Sequence, residues 1–321
     1  MEKLFRAVDE PVPGPFSRQA IEESRDFLRG WYAKAERIPP PEECRRRVAA
    51  TMPEMLPVFD ILAEMAGDDP AVIAALAAID PPPLIPAGCT VRAFTAPRAT
   101  MLRNYDFHPD ATSGTILRTD WAGTRVLGMG EGVSGLLDGV NEHGLAAALT
   151  FGGRHVYGRG FGIILIIRYL LQVARDLKDA AEVLRRVPCV WAHNVLVQDS
   201  SGRSIRAELA PDRAPLIVEA AAVTNHQAEV EPGESSLWRF ETACMLPDDA
   251  DTAREVFVAG KLCLDDYDGW LGTLYTAEYH PADRAVGFRW GGEVWEQSLD
   301  RFEEGSRRIA YDVGAVPRLV A

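Results

Sequence analysis

The chain has 321 residues, 47% of them hydrophobic and 25% charged, which is the balance of a globular protein able to bury a full-sized core in one large domain or two small ones. A net charge of -13 at pH 7 argues against nucleic acid and anionic membrane surfaces as partners, because phosphate would be repelled. The five cysteines, Cys44, Cys89, Cys189, Cys244 and Cys263, are odd in number and show no metal-binding spacing, which disfavours a disulfide framework and a zinc site. Residues 1–6 lack the apolar core of a signal peptide. The most apolar run, 161–171, is broken by Arg168 and too short to span a bilayer, so a cytoplasmic location is expected.

Residues 1–88 read as helical. Ser17 is placed to cap a helix whose Ile21, Leu28, Trp31, Tyr32 and Ala35 share one face, and Pro41 suits the first turn of a second. Asp69-Pro70 opens a further helix over 71–79, which Asp80-Pro81-Pro82-Pro83 stops, leaving 84–88 extended. From Cys89 the hydrophobic period changes to two. Paired strands are expected at 89–94 and 100–107, at 115–121 and 124–130, and at 133–140 and 145–151. Helices follow at 162–175 and 178–187, the second capped by Asp176. Strands return at 195–198, 204–209 and 216–224, then helices at 235–246, capped by Ser235, and at 251–262. A hairpin of 273–280 with 286–290 ends the pattern. This order is α+β: two antiparallel sheets between helical layers, with no alternation that would build a parallel sheet.

Cys89 is the residue around which chemistry gathers. Gly88 before it leaves the preceding carbonyl unhindered. A hairpin turning at Ala96-Pro97-Arg98 sets Cys89 opposite Tyr105 and Arg103 diagonally on the same face, where a guanidinium favours a thiolate. Asp106 reaches the same place only from the strand end or through a bulge. Asn225 ends a strand with a neutral side-chain donor suited to an oxyanion, and Arg239 lies one turn into a helix. Two patterns are set aside. Gly130-x-Gly132-x-x-Gly135 has the text of a dinucleotide fingerprint, but a strand and not a helix follows it. His108, His143, His155, His193, His226 and His280 have no metal spacing.

In order, Cys89, then Arg103-Asn104-x-Asp106, Asn141-Glu142-x-Gly144-Leu145, Thr224-Asn225 and Ser235-Ser236-x-x-Arg239-Phe240 resemble the cysteine N-terminal-nucleophile hydrolases. The landmarks are shared with the choloylglycine (bile salt) hydrolases. The 88 residues before Cys89 look more like the acyl-coenzyme A:6-aminopenicillanic acid acyltransferase family. The resemblance implies a four-layer αββα sandwich over 89–321, preceded by a helical pro-segment, 1–88, that stays as a partner after self-cleavage at Gly88–Cys89. It makes Cys89 the nucleophile and its amine the proton acceptor. Arg103 and Asp106 hold the thiolate and the amine, Asn225 serves the oxyanion hole, and Arg239 supports the site. Asn141, Thr150 and His226 are weaker pocket candidates. Thr150 stands where bile salt hydrolases carry asparagine, so the backbone N–H must serve there or the hole is built differently.

The expected activity is that of an amidase or acyltransferase on small N-acyl compounds, with acyl-coenzyme A as one conceivable donor, no metal or organic cofactor, and self-association left open. Two alternatives stand beside it: an uncut thiol enzyme with a Cys89–His226 dyad, and a non-enzymatic scaffold in which Cys89 is merely buried.

Overall fold

A computed structural model describes residues 1–83 and 88–320. The first element, β1 (Glu2–Asp9), is a strand, which corrects the all-helical expectation for this segment. Only Phe5 and Ala7 of β1 are buried, so its own pattern is weak; its hydrogen-bonding partners lie far away in the chain. Helices α1 (Pro15–Tyr32), α2 (Pro41–Thr51), α3 (Leu56–Ala66) and α4 (Pro70–Leu76) follow, each with a proline in the first turn, where its missing N–H costs nothing. Ser17 lies inside α1 and is not its cap. The open N–H groups of Phe16 and Ser17 go instead to Glu10 Oε1, at 2.8 and 3.1 Å. Asp69 caps α4 as expected, accepting from the Val72 N–H. Of the run expected to be extended, 84–87 lie outside the described residues, and Gly88 opens β2 (Gly88–Phe94).

The hairpins come where period two places them: β3 (Thr100–Phe107), β4 (Thr115–Thr119), β5 (Val126–Glu131), β6 (Gly135–Asn141) and β7 (Leu145–Phe151). The glycine-rich text at 130–135 is the β5–β6 turn, with Gly132 at φ +61°. Next are α5 (Ile163–Val173) and α6 (Leu177–Arg186), the latter capped by Asp176, then β8 (His193–Asp199), β9 (Ser204–Ala210) and β10 (Arg213–Glu219). The single strand expected over 216–224 is two. After β10 the chain crosses between sheets, and β11 (Ala222–Val223) pairs with β2. Helix α7 (Glu234–Met245) starts after Gly233, with Ser235 inside it and not capping it. Helix α8 (Ala250–Val258) is capped by Asp249 and is shorter than expected. The chain ends with β12 (Asp265–Asp266), β13 (Leu271–His280), β14 (Ala285–Trp290), β15 (Glu293–Ser298), β16 (Gly305–Ala310) and β17 (Arg318–Val320).

One sheet runs β10-β9-β8-β7-β6-β5-β4-β1-β16-β17, antiparallel except where β1 lies parallel to β4. The other runs β11-β2-β3-β13-β14-β15, with β12 on β13. They face each other through β2 against β7 and β8, and β6 against β13. Helix α5 covers β6 and β7, α6 covers β8 to β10, α7 covers β2 and β11, and α8 covers β3 and β13. Helices, sheet, sheet and helices make the αββα sandwich.

Strand β3 shows how both faces of a central strand are used. Met101 and Tyr105 join the inter-sheet core, whereas Leu102 packs outward against Ala253 and Phe257 of α8. The same core takes in α1 to α4, where Val48, Met52, Phe59 and Leu76 close around Leu165 of α5. Among the described residues no helix is long and apolar enough to cross a membrane.

Candidate active site

The β2–β3 register is the one the hairpin dictates: Cys89 opposite Tyr105, Gly88 opposite Asp106. Alternation along β3 sends Arg103 and Tyr105 into the space between the sheets, where the Cys89 thiol also points. Arg103 Nη2 lies 3.6 Å from Cys89 Sγ. That guanidinium is fully buried and held through its two terminal nitrogens and its face. Its Nη1 donates to Tyr275 Oη at 2.7 Å and stands 2.6 Å from Asp138 Oδ2, and its face lies 4.7 Å from the Tyr105 ring. Tyr275 and Tyr279 in turn donate to the two Asp138 oxygens. Burial and the Asp138 charge push both phenols well above the ordinary range, so they remain donors. A buried arginine needs such a counterion, because an unpaired one is costly to desolvate.

Asp106 comes to the site from the other face of β3, at the strand end. Its Oδ1 accepts from Thr273 Oγ1 at 2.7 Å, and its Oδ2 has no hydrogen-bond partner among the described residues. Burial raises its pKa, against Arg239, the Thr273 hydroxyl and Arg103, which pull it down. Burial likewise pushes the Cys89 thiol up to about 11, opposed by Arg103; Asp106 adds to the rise, and Arg239 and the Asp106 backbone N–H oppose it. Burial thus favours the neutral thiol at Cys89, and Arg103 opposes it.

The backbone of Cys89 is clamped as tightly as its side chain. Its N–H donates to Asn225 Oδ1 at 2.9 Å, and its carbonyl accepts from Arg239 Nη1. Arg239 Nη1 also reaches Thr90 Oγ1 at 3.1 Å, and its Nη2 donates to Asn225 Oδ1 at 2.8 Å. Two donors converging on one amide atom fix the Asn225 orientation, so its NH2 group faces Phe151 O at 3.2 Å. Ser236 Oγ holds the Asn225 backbone N–H at 2.9 Å.

Five sequence candidates, Cys89, Arg103, Asp106, Asn225 and Arg239, thus meet in one place. Three do not serve as expected. Asn141 sits at the turn end of the β6–β7 hairpin, whereas the site lies at the Thr150 end. Its amide donates to Leu171 and Ala174 carbonyls and accepts from His143 and Leu145 N–H groups, so it is a fastener for α5. The Thr150 hydroxyl donates to Thr224 O at 2.6 Å, so the hydroxyl itself is engaged away from Cys89. Its strand partner Asn194 donates to Thr150 Oγ1 and to the Thr224 and His226 carbonyls, latching the segment that carries Asn225. His226 Nδ1 is engaged with Ser236 Oγ at 2.9 Å, and neither ring nitrogen contacts the Cys89 thiol. Burial lowers its pKa, followed by repulsion from Arg206. The Cys89–His226 dyad is not formed.

Sequence reasoning missed Asp138, Thr273, Tyr275 and Tyr279. Asp138 carried the one available signal, an acidic residue inside the apolar strand Leu136-Leu137-Asp138-Gly139-Val140. Such a residue needs a buried cation.

A stability prediction follows from the orphaned Asp106 oxygen. A carboxyl whose folded pKa is raised binds its proton more tightly in the folded state. Its ionisation therefore costs stability, from about pH 4, where the unfolded group titrates, upward through the folded pKa. Asp106→Asn leaves a polar atom in the same place but removes the buried charge, so it should stabilise the fold at pH 7. Urea unfolding should show the gain shrinking towards pH 4. A gain of equal size at both pH values would mean the carboxyl is not charged in the native protein.

Fold and site together define an αββα protein with a cysteine near the start of a strand, held by two arginines and an asparagine, with a buried carboxyl on the residue opposite Gly88. A family model, acyl-coenzyme A:6-aminopenicillanic acid acyl-transferase, matches residues 95–295, well over half of the chain, and the chain belongs to that family. The match begins just after Cys89 and spans Arg103, Asp106, Asn225 and Arg239. No curated protein matches the chain in sequence. Similar solved structures include penicillin V acylase from Agrobacterium tumefaciens, 14% identical over 69% of this chain and 90% of that one, with a TM-score of 0.45. A mutant conjugated bile acid hydrolase from Clostridium perfringens is 14% identical over 68% of this chain and 96% of that one, at 0.42. The Caenorhabditis elegans ortholog of N-acylethanolamine-hydrolyzing acid amidase is 13% identical over 68% and 98%, at 0.47.

Proposed function

We propose that the protein is a self-processing cysteine amidohydrolase or acyltransferase for small N-acyl substrates, with Cys89 as its nucleophile once the Gly88–Cys89 bond is cut. The observation that carries this reading is the double clamp on Cys89. Its thiol lies beside Arg103, and its backbone N–H is already seated on Asn225 Oδ1 with an unpartnered carboxylate oxygen opposite Gly88. A buried structural cysteine needs neither.

In processing, the thiol gives its proton to a base such as Asp106, and Sγ bonds to the Gly88 carbonyl carbon. The C–N bond breaks as the Cys89 nitrogen takes up a proton, leaving a thioester and a free α-amine. Water then cleaves the thioester, giving the Gly88 carboxylate and the Cys89 thiol. An α-amine titrates near pH 7.7–8.0 when unperturbed, so at neutral pH it can trade protons with the thiol. As an ammonium it also adds a second positive charge to that of Arg103 beside the thiol. In turnover the amine takes the thiol proton, Sγ bonds to the substrate acyl carbon, and the ammonium returns a proton to the leaving amine. Asn225 contributes an N–H to the oxyanion. Water or a second amine removes the acyl group. Acyl-coenzyme A, named in the family's description, is the donor to try first in the transfer direction.

Intact-mass measurement of freshly purified protein tests this. Residues 1–88 and 89–321 should appear as separate masses that co-elute as one complex. A chain that stays uncut and inert towards N-acyl amides would leave a scaffold protein in its place.

A further inference from the structure

Gly88 does more than leave its carbonyl open. A Cβ added to it would lie 3.0 Å from Asp106 Cβ, 3.3 Å from Leu271 Cδ2 and 3.4 Å from Asp106 Oδ2. The first of these contacts cannot yield. Asp106 Cβ is fixed to β3, which is paired on both sides, and its carboxyl is pinned by Thr273. The second can yield partly, because Leu271 is 37% exposed and its Cδ2 is the free end of a flexible side chain. Beside Leu271 stand the ring of Trp270 and, across the β12–β13 pair, the exposed Asp266. Trp270, 41% exposed, stacks on His108 at 4.4 Å and lies edge-on to Phe107 at 6.3 Å.

The same sulfur attacks Gly88 in processing and the acyl carbon in turnover, and the same donors must receive both oxyanions. The acyl α-carbon of a substrate therefore takes the place of Gly88 Cα. We propose that Asp106 and Leu271 form a steric gate at that carbon, so that the enzyme accepts apolar acyl groups with a CH2 next to the carbonyl and discriminates against those branched there. The inference rests on Cys89 being the acyl acceptor. It adds a selectivity to that reading, with Leu271 as the adjustable side of the gate and Trp270 as the apolar surface over which the remainder of the acyl chain runs.

The probes are the 4-nitroanilides of hexanoic acid and of the 2-methylhexanoic acid enantiomer whose methyl superposes on an L-alanine Cβ. One unaccommodated methyl should lower kcat/KM about 10- to 200-fold. Leu271→Ala should narrow that ratio only in part, about threefold, because the Asp106 side of the gate stays in place. Processing gives a second readout that needs no substrate: Gly88→Ala should slow self-cleavage, and adding Leu271→Ala should recover part of the rate. Equal rates on the two anilides, or a ratio and a cleavage rate indifferent to Leu271, would remove the gate while leaving Cys89 as nucleophile. A wild-type chain that neither cuts itself nor hydrolyses either anilide would overturn the Cys89 reading, and the gate with it.

Discussion

Cys89→Ala should yield one full-length chain that hydrolyses no amide, with turnover down on the order of 10⁴–10⁶-fold, the scale on which removal of a covalent nucleophile is felt. One sulfur serves both events, so processing and activity must disappear together. The fold should survive. Cys89 N–H and C=O keep their hydrogen bonds to Asn225 and Arg239, and the lost atom is a single sulfur in the core. Two other cysteines are internal controls. Cys189 is a buried thiol beside the Trp191 carbonyl at 3.1 Å, pushed up to about 12 by burial, and Cys244 is exposed on α7. Alanine at either should leave processing and rate within about twofold of wild type. Self-cleavage that persists in the Cys89 variant, or is lost in the Cys189 variant, would move the nucleophile.

The second large effect belongs to Arg103. Arg103→Met removes the cation from a fully buried group in which Asp138 keeps only its two tyrosine donors. Breaking a buried ion pair from one side costs about 3–5 kcal/mol, mostly from the charge left behind. The variant should therefore melt early and also lose turnover, since the thiolate loses its neighbour at 3.6 Å. Stability and chemistry are separated by the double variant Arg103→Met/Asp138→Leu. Removing both charges should restore part of the unfolding free energy, the Tyr275 and Tyr279 hydroxyls having lost their acceptor, and none of the activity. Recovery of activity by the double variant would make Arg103 purely structural. No recovery of stability would mean that packing and not charge holds this cluster.

Much of this site was legible because β-sheet geometry is local. Once Ala96-Pro97-Arg98 is taken as the turn, period-two pairing sets Cys89 opposite Tyr105 and Arg103 on the face of the thiol, and the observed register agrees. Asn225 and Arg239 could be placed only as members of an ordered set of landmarks. They reach Cys89 from residues 136 and 150 positions further along the chain, and no local pattern encodes such a distance. What stayed hidden was hidden for the same reason. Asp138, Tyr275 and Tyr279 come from two different sheets and become one cluster only when the sheets stack. Thr150, Asn141 and His226 carry groups that suit a pocket, but each spends them on a neighbouring carbonyl, backbone N–H or serine hydroxyl, and side-chain chemistry alone cannot reveal that. Strands β1, β15, β16 and β17 were missed because each shows polar residues on at least one face, and β1 and β16 in addition find their partners at opposite ends of the chain.

Strand β1 has a consequence for how the protein is made. It lies between β4 and β16, and the Met1 amino group donates to the Tyr311 carbonyl, so β16 and β17 join the rest of their sheet only through the first nine residues of the chain. While the chain is continuous, threading β1 into that slot is an intramolecular step whose rate does not depend on concentration. After a cut at Gly88 the strand that links β4 to β16 would belong to a separate polypeptide. Folding then becomes a second-order encounter between a small fragment and a sheet with a gap in it. If the chain cuts itself as proposed, unfolding the cut protein would scatter the information needed to rebuild it, and the cut form would persist by how slowly it opens.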